Sequence, residues 1–191
     1  MSEKAIIREK LTEEKKTLRR NLLEWLATLV VGALILFFFA PASWWQFGVS
    51  SVENRKPTAD FSLKVLNGNN WNFAEKRGKI LVVNYWATWC APCRYETPSL
   101  VNISNEYKSR GVEMVGVTMD ENLENVPLFI EKYQIPYQIL LPDFDPHLGN
   151  EGIALPTTFL YDKNGRLAKK YIGIVLESTL KSDIEELLKE S

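Results

Sequence analysis

The only two cysteines of this 191-residue chain, Cys90 and Cys93, lie three positions apart and carry its clearest chemical signal. They follow an apolar, strand-like run over 80–86 and precede a helix-compatible segment over 95–107. Residues i and i+3 are neighbours on a helical turn, so the two thiols can close a small disulfide. The free N–H groups and the positive dipole end of a helix stabilise a thiolate at its N-terminus. The spacing therefore predicts a redox pair in which Cys90 is the nucleophile and Cys93 is the resolving thiol.

Two other uses of such a cysteine pair stay open from the residues alone. A structural zinc site needs four ligands, and the sequence offers no second cysteine pair and a single histidine, His147. A plain structural disulfide would close a short loop, which stabilises a fold little by the chain-entropy argument. We therefore favour redox chemistry, expect no metal site, and assign no role to His147.

The composition permits a proper globular core, because hydrophobic residues make up 46% of the chain. The net charge of -1 conceals an asymmetry between the two ends. Residues 1–20 carry seven basic and four acidic side chains, whereas 14 basic and 18 acidic side chains follow from Pro57 onward. A mildly acidic domain argues against nucleic acid as a partner.

An uncharged, strongly apolar run extends over residues 25–45. About 20 helical residues cross the ~30 Å hydrocarbon core of a bilayer. Tryptophans at both ends of the run fit the interfacial belts of a membrane. Basic residues cluster just before the run, in the segment 15–20, so the positive-inside rule places the N-terminus in the cytoplasm. We therefore predict one membrane-spanning helix, with the rest of the chain outside.

A cleaved signal peptide is the competing interpretation, because Ala40-Pro41-Ala42 resembles a small-residue cleavage site. However, the apolar run is longer than the usual signal-peptide core of about 7–15 residues, and a proline within the site disfavours cleavage. We expect an uncleaved anchor. The predicted parts are a basic cytoplasmic arm over 1–21, a transmembrane anchor over 22–45, a polar linker over 46–57 that lets the domain stand off the bilayer, and a domain over 58–191.

Beyond the linker, short apolar strands alternate with amphipathic segments, as is typical of an α/β domain. Gly111 has the position of a helix C-terminal cap, and Pro127 is tolerated only in the first turn of a helix. Residues 143–152 are rich in turn formers and predict a loop or a short helix. The pattern predicts strands over 61–65, 71–73, 80–86, 112–118, 139–141, 158–161 and 167–172, and helices over 95–107, 122–133 and 176–189.

The run Trp89-Cys90-Ala91-Pro92-Cys93 resembles the active site of the thioredoxin superfamily. More narrowly, the chain is similar to the membrane-anchored TlpA/ResA-like thiol–disulfide oxidoreductases over about residues 57–189. Three further landmarks carry the resemblance: Pro98 in the active-site helix, the cis-proline loop and following strand at 155–160, and the hairpin at 162–166. The resemblance implies a thioredoxin-like α/β fold, in which helices flank a central mixed sheet.

The resemblance also implies which residues contact a substrate. The family places a cis-proline against the disulfide, so Pro156 is expected to be cis, although only about 5–6% of X-Pro bonds in folded proteins are. A cis bond there exposes the backbone of Leu155 for antiparallel pairing with a substrate strand. Trp89 and Pro92 complete the expected substrate-binding set, while Trp86 and Trp89 are expected to pack around the disulfide.

One position departs from the pattern of thioredoxin itself. Thioredoxin carries a buried aspartate six residues before its first cysteine, and this chain has Asn84 there, whose amide cannot take up a proton. Reductants similar to ResA carry a glutamate at the position of Glu96, which follows Cys93 by three and shares its helix face. We expect Glu96 to be catalytic, raising the pKa of the Cys93 thiol and relaying protons. From spacing alone, a solvated helix residue stays the alternative.

These features predict a membrane-tethered enzyme that reduces protein disulfides outside the cytoplasmic membrane of a bacterium, through attack by Cys90 and resolution by Cys93. The resemblance adds apocytochrome c as one client and a membrane thiol donor of electrons, with the disulfide in place of a bound cofactor. Two alternatives stay open: a DsbA-type oxidase or isomerase, and a non-catalytic anchored adaptor. The presence of both cysteines argues against the adaptor.

Overall fold

The computed structural model describes residues 15–16, 18–32, 49–142 and 153–190. The chain divides into two compact units, Met1–Gln46 and Phe47–Ser191. In the first unit the described residues are helical and almost all exposed. No helix within the described part of the chain has both the length and the apolar character that crossing a membrane requires.

Several features noted in the sequence fall outside the described residues. Of the apolar run, residues 25–32 belong to the described part of the chain and residues 33–45 do not. The other features outside the described residues are the Ala40-Pro41-Ala42 site, the predicted loop or helix at 143–152, and His147.

The second unit is built on a seven-stranded mixed sheet with the strand order β2-β1-β5-β4-β3-β6-β7. β3 pairs in parallel with β4, and β4 with β5, whereas the other pairings are antiparallel. All seven residues of β3 are buried, which explains why Asn84 is the one residue of the strand with an amide side chain among apolar and aromatic ones. The strands are β1 (Ser62–Val65), β2 (Asn70–Asn72), β3 (Ile80–Trp86), β4 (Val112–Thr118), β5 (Gln138–Leu141), β6 (Thr157–Tyr161) and β7 (Leu167–Ile172).

Three helices, α1 (Ala91–Tyr107), α2 (Asn125–Tyr133) and α3 (Glu177–Lys189), pack on the sheet face to which alternate residues of β3 point. The apolar stripes of α1 and α3 meet over Ile80 and Val82. α2 packs near the other end of β3, where the rings of Trp86 and Phe129 lie 4.5 Å apart. The core residues supplied by α1 and α3 are Leu100, Ile103, Tyr107, Leu180, Ile184 and Leu187.

The opposite face of the sheet carries a second apolar cluster, rich in aromatic rings. Leu81, Val83 and Tyr85 of β3 point into it. The first hairpin contributes Trp71 and the neighbouring Phe73, which stacks on other rings of the cluster. The sheet therefore separates two apolar layers and holds β3 rigidly between them.

α1 ends at the predicted residue, Tyr107, and its N-terminus is set by Cys90 and Pro92. Cys90 is its N-cap, and Pro92 lies in the first turn, where its missing N–H costs no hydrogen bond. Pro98 lies inside the helix, where the resemblance places it. After a short 3-10 turn, the chain leaves at Gly111, whose φ of 83° lies in the left-handed region that glycine adopts without strain.

Residues 49–57, the described part of the predicted linker, do not stand free of the domain. The Ser50 N–H donates to the Ala168 carbonyl at 3.0 Å, and the Leu167 N–H donates to the Lys56 carbonyl at 3.3 Å. These bonds cover part of the outer edge of β7, which would otherwise expose unpaired backbone groups. The stretch is therefore part of the folded unit, in contrast to the free connector expected from its polar composition.

A buried ion cluster fixes this segment. Arg55 is only 5% exposed and makes a bidentate pair with the carboxylate of Glu190, at 2.6 and 2.7 Å. Its Nη1 also contacts Asp162 at 3.2 Å, and its Nε donates to the Ser50 carbonyl at 2.7 Å. Burial opposes the charge of Asp162, but turn N–H groups and the guanidinium of Arg55 still lower its pKa. We call Arg55, Asp162 and Glu190 the Arg55 cluster.

Most predicted elements are confirmed within a residue or two, and three strands match at both ends. α1 begins earlier than the predicted helix because Pro92 can occupy a first turn. α2 begins at Asn125, later than the predicted 122, and Pro127 lies in its first turn as required. The strands predicted to the residue are β3, β4 and β7.

Candidate active site

Cys90 and Cys93 form a disulfide at the N-terminus of α1, with an S–S distance of 2.06 Å and Cα atoms 5.3 Å apart. The Cys93 N–H donates to Cys90 Sγ at 3.2 Å. Cys90 is 5% exposed and Cys93 2%, so exposure hardly separates them. Their positions in the helix distinguish them. Cys90 Sγ accepts a hydrogen bond from a free N–H of the first helical turn, which would stabilise a thiolate at Cys90.

Trp86 and Trp89, both expected to pack around the disulfide, behave differently. Trp86 is 3% exposed and belongs to the same apolar cluster as both cysteines. Trp89 is 64% exposed, so its indole faces solvent. The expectation fails for Trp89 because it occupies the tip of a turn, closed by the Cys90 N–H donating to the Ala87 carbonyl at 3.2 Å.

The Leu155–Pro156 peptide bond is cis, as the resemblance implied. Pro156 is buried, and its carbonyl accepts a hydrogen bond from the Gly173 N–H at 2.8 Å. Leu155 is half-buried and packs against the cluster that contains both cysteines. The cis-proline loop and the disulfide therefore adjoin the same apolar cluster, although 66 positions separate Cys90 from Pro156 in sequence.

Large apolar side chains remain exposed on the elements around this site. Trp89 and Tyr95 belong to the start of α1 and the turn before it, and Tyr95 is 75% exposed. The end of β7 and the loop before α3 add three more, Ile172, Ile174 and Leu176, which are 69%, 44% and 65% exposed. Ile172 pairs with Thr157, the residue after Pro156. Exposed apolar groups of this density are typical of a surface that contacts another molecule.

Glu96 is 2% exposed, so it is not the solvated helix residue that spacing alone allowed. One carboxylate oxygen accepts from the Val175 N–H at 3.1 Å, and the other has no hydrogen bond from any described residue. Burial raises the pKa of Glu96 to about 7, while the N–H of Val175 and the amide of Asn84 act to lower it. In this structure the Asn84 amide donates to Thr158 Oγ1, at 2.9 Å.

An open cleft of about 680 Å³ lies between the first turns of α1 and the start of α3, and Glu96 is one of its lining residues. Ser99 and Lys181 line the outer part, with Tyr95 and Leu176 among the apolar walls. A buried acid that titrates near neutrality and borders solvent can exchange a proton with water through such a cleft.

Sequence reasoning missed one group beside the disulfide. The carboxylate of Asp120 accepts hydrogen bonds from the backbone N–H of Thr88 at 2.9 Å and from its hydroxyl at 2.5 Å. Asp120 follows β4 by two residues, and Thr88 follows β3 by two. Since β3 and β4 are parallel neighbours, their carboxyl ends meet at one edge of the sheet, and this rule could have revealed the pair.

Comparison with known proteins identifies the family. The model of the AhpC/TSA family matches residues 55–170, more than half of the chain. The chain belongs to the AhpC/TSA family. Thiol-disulfide oxidoreductase ResA of Geobacillus thermodenitrificans (strain NG80-2) is 35% identical over 129 residues, covering 67% of this chain and 74% of that relative. ResA of Bacillus subtilis (strain 168) is 32% identical over 134 residues, covering 70% and 75%.

Two solved structures are similar in fold to the present one. A thiol:disulfide interchange protein of the thioredoxin family from Chlorobium tepidum TLS has a TM-score of 0.63 and 27% identity, covering 71% of this chain and 97% of that one. A DsbF homologue from Corynebacterium diphtheriae has a TM-score of 0.66 and 27% identity, covering 73% and 91%.

The predicted thioredoxin-like fold of the domain and the enzyme class are therefore confirmed. This AhpC/TSA-family member is a ResA/DsbE-like thiol–disulfide oxidoreductase of the thioredoxin superfamily, with Cys90 and Cys93 in the Cys-x-x-Cys arrangement. An enzyme of this class transfers two electrons per exchange through a mixed-disulfide intermediate.

Proposed function

We propose that the chain is a membrane-tethered reductant of protein disulfides, acting outside the cytoplasmic membrane of a bacterium. The observation that carries the direction of transfer is Glu96, buried three residues after Cys93. Glu96 shares a helix face with Cys93, and its ionised form, which predominates above about pH 7, disfavours a thiolate at Cys93. A dithiol whose reduced form is not stabilised is the better reductant, since strong oxidants of this class have a stabilised reduced form.

The reduced enzyme begins with a thiolate at Cys90. This thiolate attacks one sulfur of a client disulfide, and the other client sulfur leaves as a thiolate. Cys93 then gives its proton to the ionised carboxylate of Glu96 and attacks Cys90 Sγ, which restores the Cys90–Cys93 disulfide and releases the second client thiolate. Two electrons have passed to the client, and the couple itself carries them, so no bound cofactor is needed.

Client contact is proposed at the exposed apolar groups and at the cis-proline loop. Trp89 and Pro92 are sequence neighbours of the two cysteines, and Leu155, which precedes Pro156, packs against the cluster that contains both. A client segment that lies extended beside Leu155 would add backbone hydrogen bonds to these apolar contacts. A membrane dithiol would then reduce the Cys90–Cys93 disulfide for the next cycle.

The anchor is proposed from the sequence. Residues 25–45 contain no charge and are flanked by tryptophans, and the basic residues lie before them. Mass spectrometry of the membrane-extracted protein checks this assignment. A mature N-terminus near Ser43 would replace the anchor with a cleaved signal peptide.

The reduction potential of the full chain in detergent tests the direction of transfer. Equilibration with glutathione or dithiothreitol buffers, followed by alkylation and mass analysis, gives the oxidised fraction. We expect a potential near or below that of thioredoxin, about -270 mV. A value near that of DsbA, about -120 mV, would instead support an oxidase or isomerase.

The client is the most specific part of the proposal, and apocytochrome c is the client we propose. A deletion strain should lose c-type cytochromes and recover them when an external thiol is added. Normal cytochrome levels in that strain, with disulfide defects elsewhere, would remove this client and leave the general reductase.

A further inference from the structure

The chain just before Cys90 is held by a carboxylate from a distant part of the sequence. Asp120 is 8% exposed and accepts the Thr88 N–H at 2.9 and 3.2 Å, one distance to each oxygen. It also accepts the hydroxyls of Thr88 and Thr118, at 2.5 and 2.6 Å. Its own N–H donates to Thr118 Oγ1 at 3.3 Å. Both carboxylate oxygens of Asp120 thus accept hydrogen bonds, and these bonds fix the orientation of its side chain.

Thr88, the residue that Asp120 binds, lies in the tight turn just before Cys90. Thr88 and Trp89 are the two central residues of the turn over 87–90, which the Cys90 N–H closes. The Thr88 carbonyl accepts from Arg94 in the first turns of α1, at 3.3 Å. Thr88 is therefore bound on its N–H side by Asp120 and on its carbonyl side by Arg94, so the peptide planes on either side of it cannot rotate freely.

The base of the loop is fixed as well. The Met119 N–H donates to the Trp86 carbonyl at 2.7 Å, which continues the pairing of β3 and β4 beyond their ends. The loop that carries Cys90 therefore leaves the sheet next to the segment that contains Asp120. By contrast, Trp89 is 64% exposed, so packing contributes little to its orientation.

We propose that Asp120 is a positioning residue for thiol–disulfide exchange: it holds Thr88 so that Cys90 stays at the N-terminus of α1 and the Trp89 indole faces the incoming substrate. The inference rests on the attack by Cys90 proposed above. Hydrogen bonds that a carboxylate accepts from a backbone N–H and a hydroxyl are charge-assisted, and therefore stronger than neutral ones. Small misplacements of an attacking atom cost large factors in rate, which is why such a clamp matters.

Asp120 is bound to Thr88, two residues before Cys90, so any effect of its charge on the thiol must be separated from positioning. Asp120→Asn removes the charge but keeps an oxygen acceptor for the Thr88 N–H. Thr88→Val keeps the charge and removes one donor to it, while Thr88→Ser keeps both. The chain also offers a matched control in Asp162, which is equally buried and accepts the turn N–H groups of Asn164 and Arg166, at 2.9 and 3.0 Å, away from the disulfide.

The test measures two quantities on the reduced full chain in detergent. The first is the rate of insulin disulfide reduction, with dithiothreitol as the electron source. The second is the apparent pKa of the first thiol to be alkylated, from the pH dependence of iodoacetamide labelling. Thr88→Val should slow insulin reduction about five- to tenfold, and Thr88→Ser should restore it to within about twofold. Asp120→Asn should lower the apparent thiol pKa by about half a unit to one unit, because a nearby negative charge is lost.

Asp162→Asn should reduce the unfolding temperature and leave both measurements unchanged. If Thr88→Val reduces insulin as fast as the unaltered chain, or Thr88→Ser fails to restore the rate, the positioning role of Asp120 is wrong. Labelling of Cys93 before Cys90 would overturn the role proposed for Cys90. The Thr88 variants would still test the positioning role of Asp120, because the rate of insulin reduction can be measured whichever thiol attacks.

Discussion

The carboxylate of Glu96 and the backbone N–H of Val175 are joined by a hydrogen bond of 3.1 Å across the cleft between α1 and the loop before α3. This bond satisfies one oxygen of an acid that is otherwise surrounded by protein. Because an isolated buried charge is costly, the protein favours the neutral acid up to about pH 7. The protonation state of Glu96 therefore affects both the stability of the fold and the proton transfer proposed for Cys93.

The first prediction concerns stability against pH. The pKa of Glu96 is about 7 in the folded protein, above its usual 4.5, so the folded state holds this proton more tightly than the unfolded state. Its stabilising effect is complete below about pH 4.5 and disappears as the pH rises to about 7. Glu96→Gln should therefore be more stable than the unaltered protein at pH 8, by about 2–3 kcal/mol, with much less difference at pH 4. Urea unfolding at both pH values measures this, and equal differences at both would contradict it.

The second prediction separates the two thiols. Cys93→Ser leaves no resolving thiol, so the mixed disulfide between Cys90 and a client should accumulate. Cys90→Ser should form none, because the attacking sulfur is absent. Non-reducing electrophoresis followed by mass spectrometry detects the adduct. Trapping by Cys90→Ser alone would reverse the assigned roles.

The third prediction concerns the exposed indole beside the disulfide. Trp89 is 64% exposed, so Trp89→Ala should change the free energy of unfolding by less than about 0.5 kcal/mol. It should raise KM for a protein disulfide severalfold, because apolar contact with the client is lost. Leu128 is equally exposed, at 64%, on α2, and Leu128→Ala provides the control. A large loss of stability in Trp89→Ala would mean that the indole packs against the domain.

The fourth prediction concerns the Arg55 cluster. Arg55→Ala leaves the buried Asp162 without one of its cationic partners and breaks the pair with Glu190, so we expect a loss of about 3 kcal/mol in unfolding free energy. The reduction potential should not change, because the cluster lies by the β6–β7 turn, whereas the disulfide adjoins the opposite end of β6. Chemical denaturation and redox titration of the same samples measure both. A shifted potential would show coupling between the two ends of the sheet.

Much of the fold follows from local sequence, because hydrophobic periodicity and the positions of glycine and proline are local properties. The largely apolar run of β3 and the glycine after α1 indicate boundaries that the structure reproduces. The cysteine spacing likewise gives the disulfide, and the resemblance gives the cis bond at Pro156. Each of these needs only a few neighbouring residues.

The missed features all depend on partners distant in sequence. Asp120 lies 32 residues from Thr88, and no local pattern links them. The segment that contains Arg55 looks like a polar linker because its partners, Asp162 and Glu190, lie 107 and 135 positions away. The exposure of Trp89 depends on a turn whose orientation is set by Asp120. Such contacts become visible only once the sheet has brought the segments together.

The Arg55 cluster also determines how the domain bears mechanical load. A pulling force applied to the chain near residue 49 would first strain the ion pairs to Glu190 and Asp162, together with the backbone bonds to β7. β7 is the outermost strand on that side, and β3, which leads into the disulfide loop, lies two strands further in. We therefore expect tension at residue 49 to load the edge of the sheet and the end of α3 before it reaches the loop that carries Cys90.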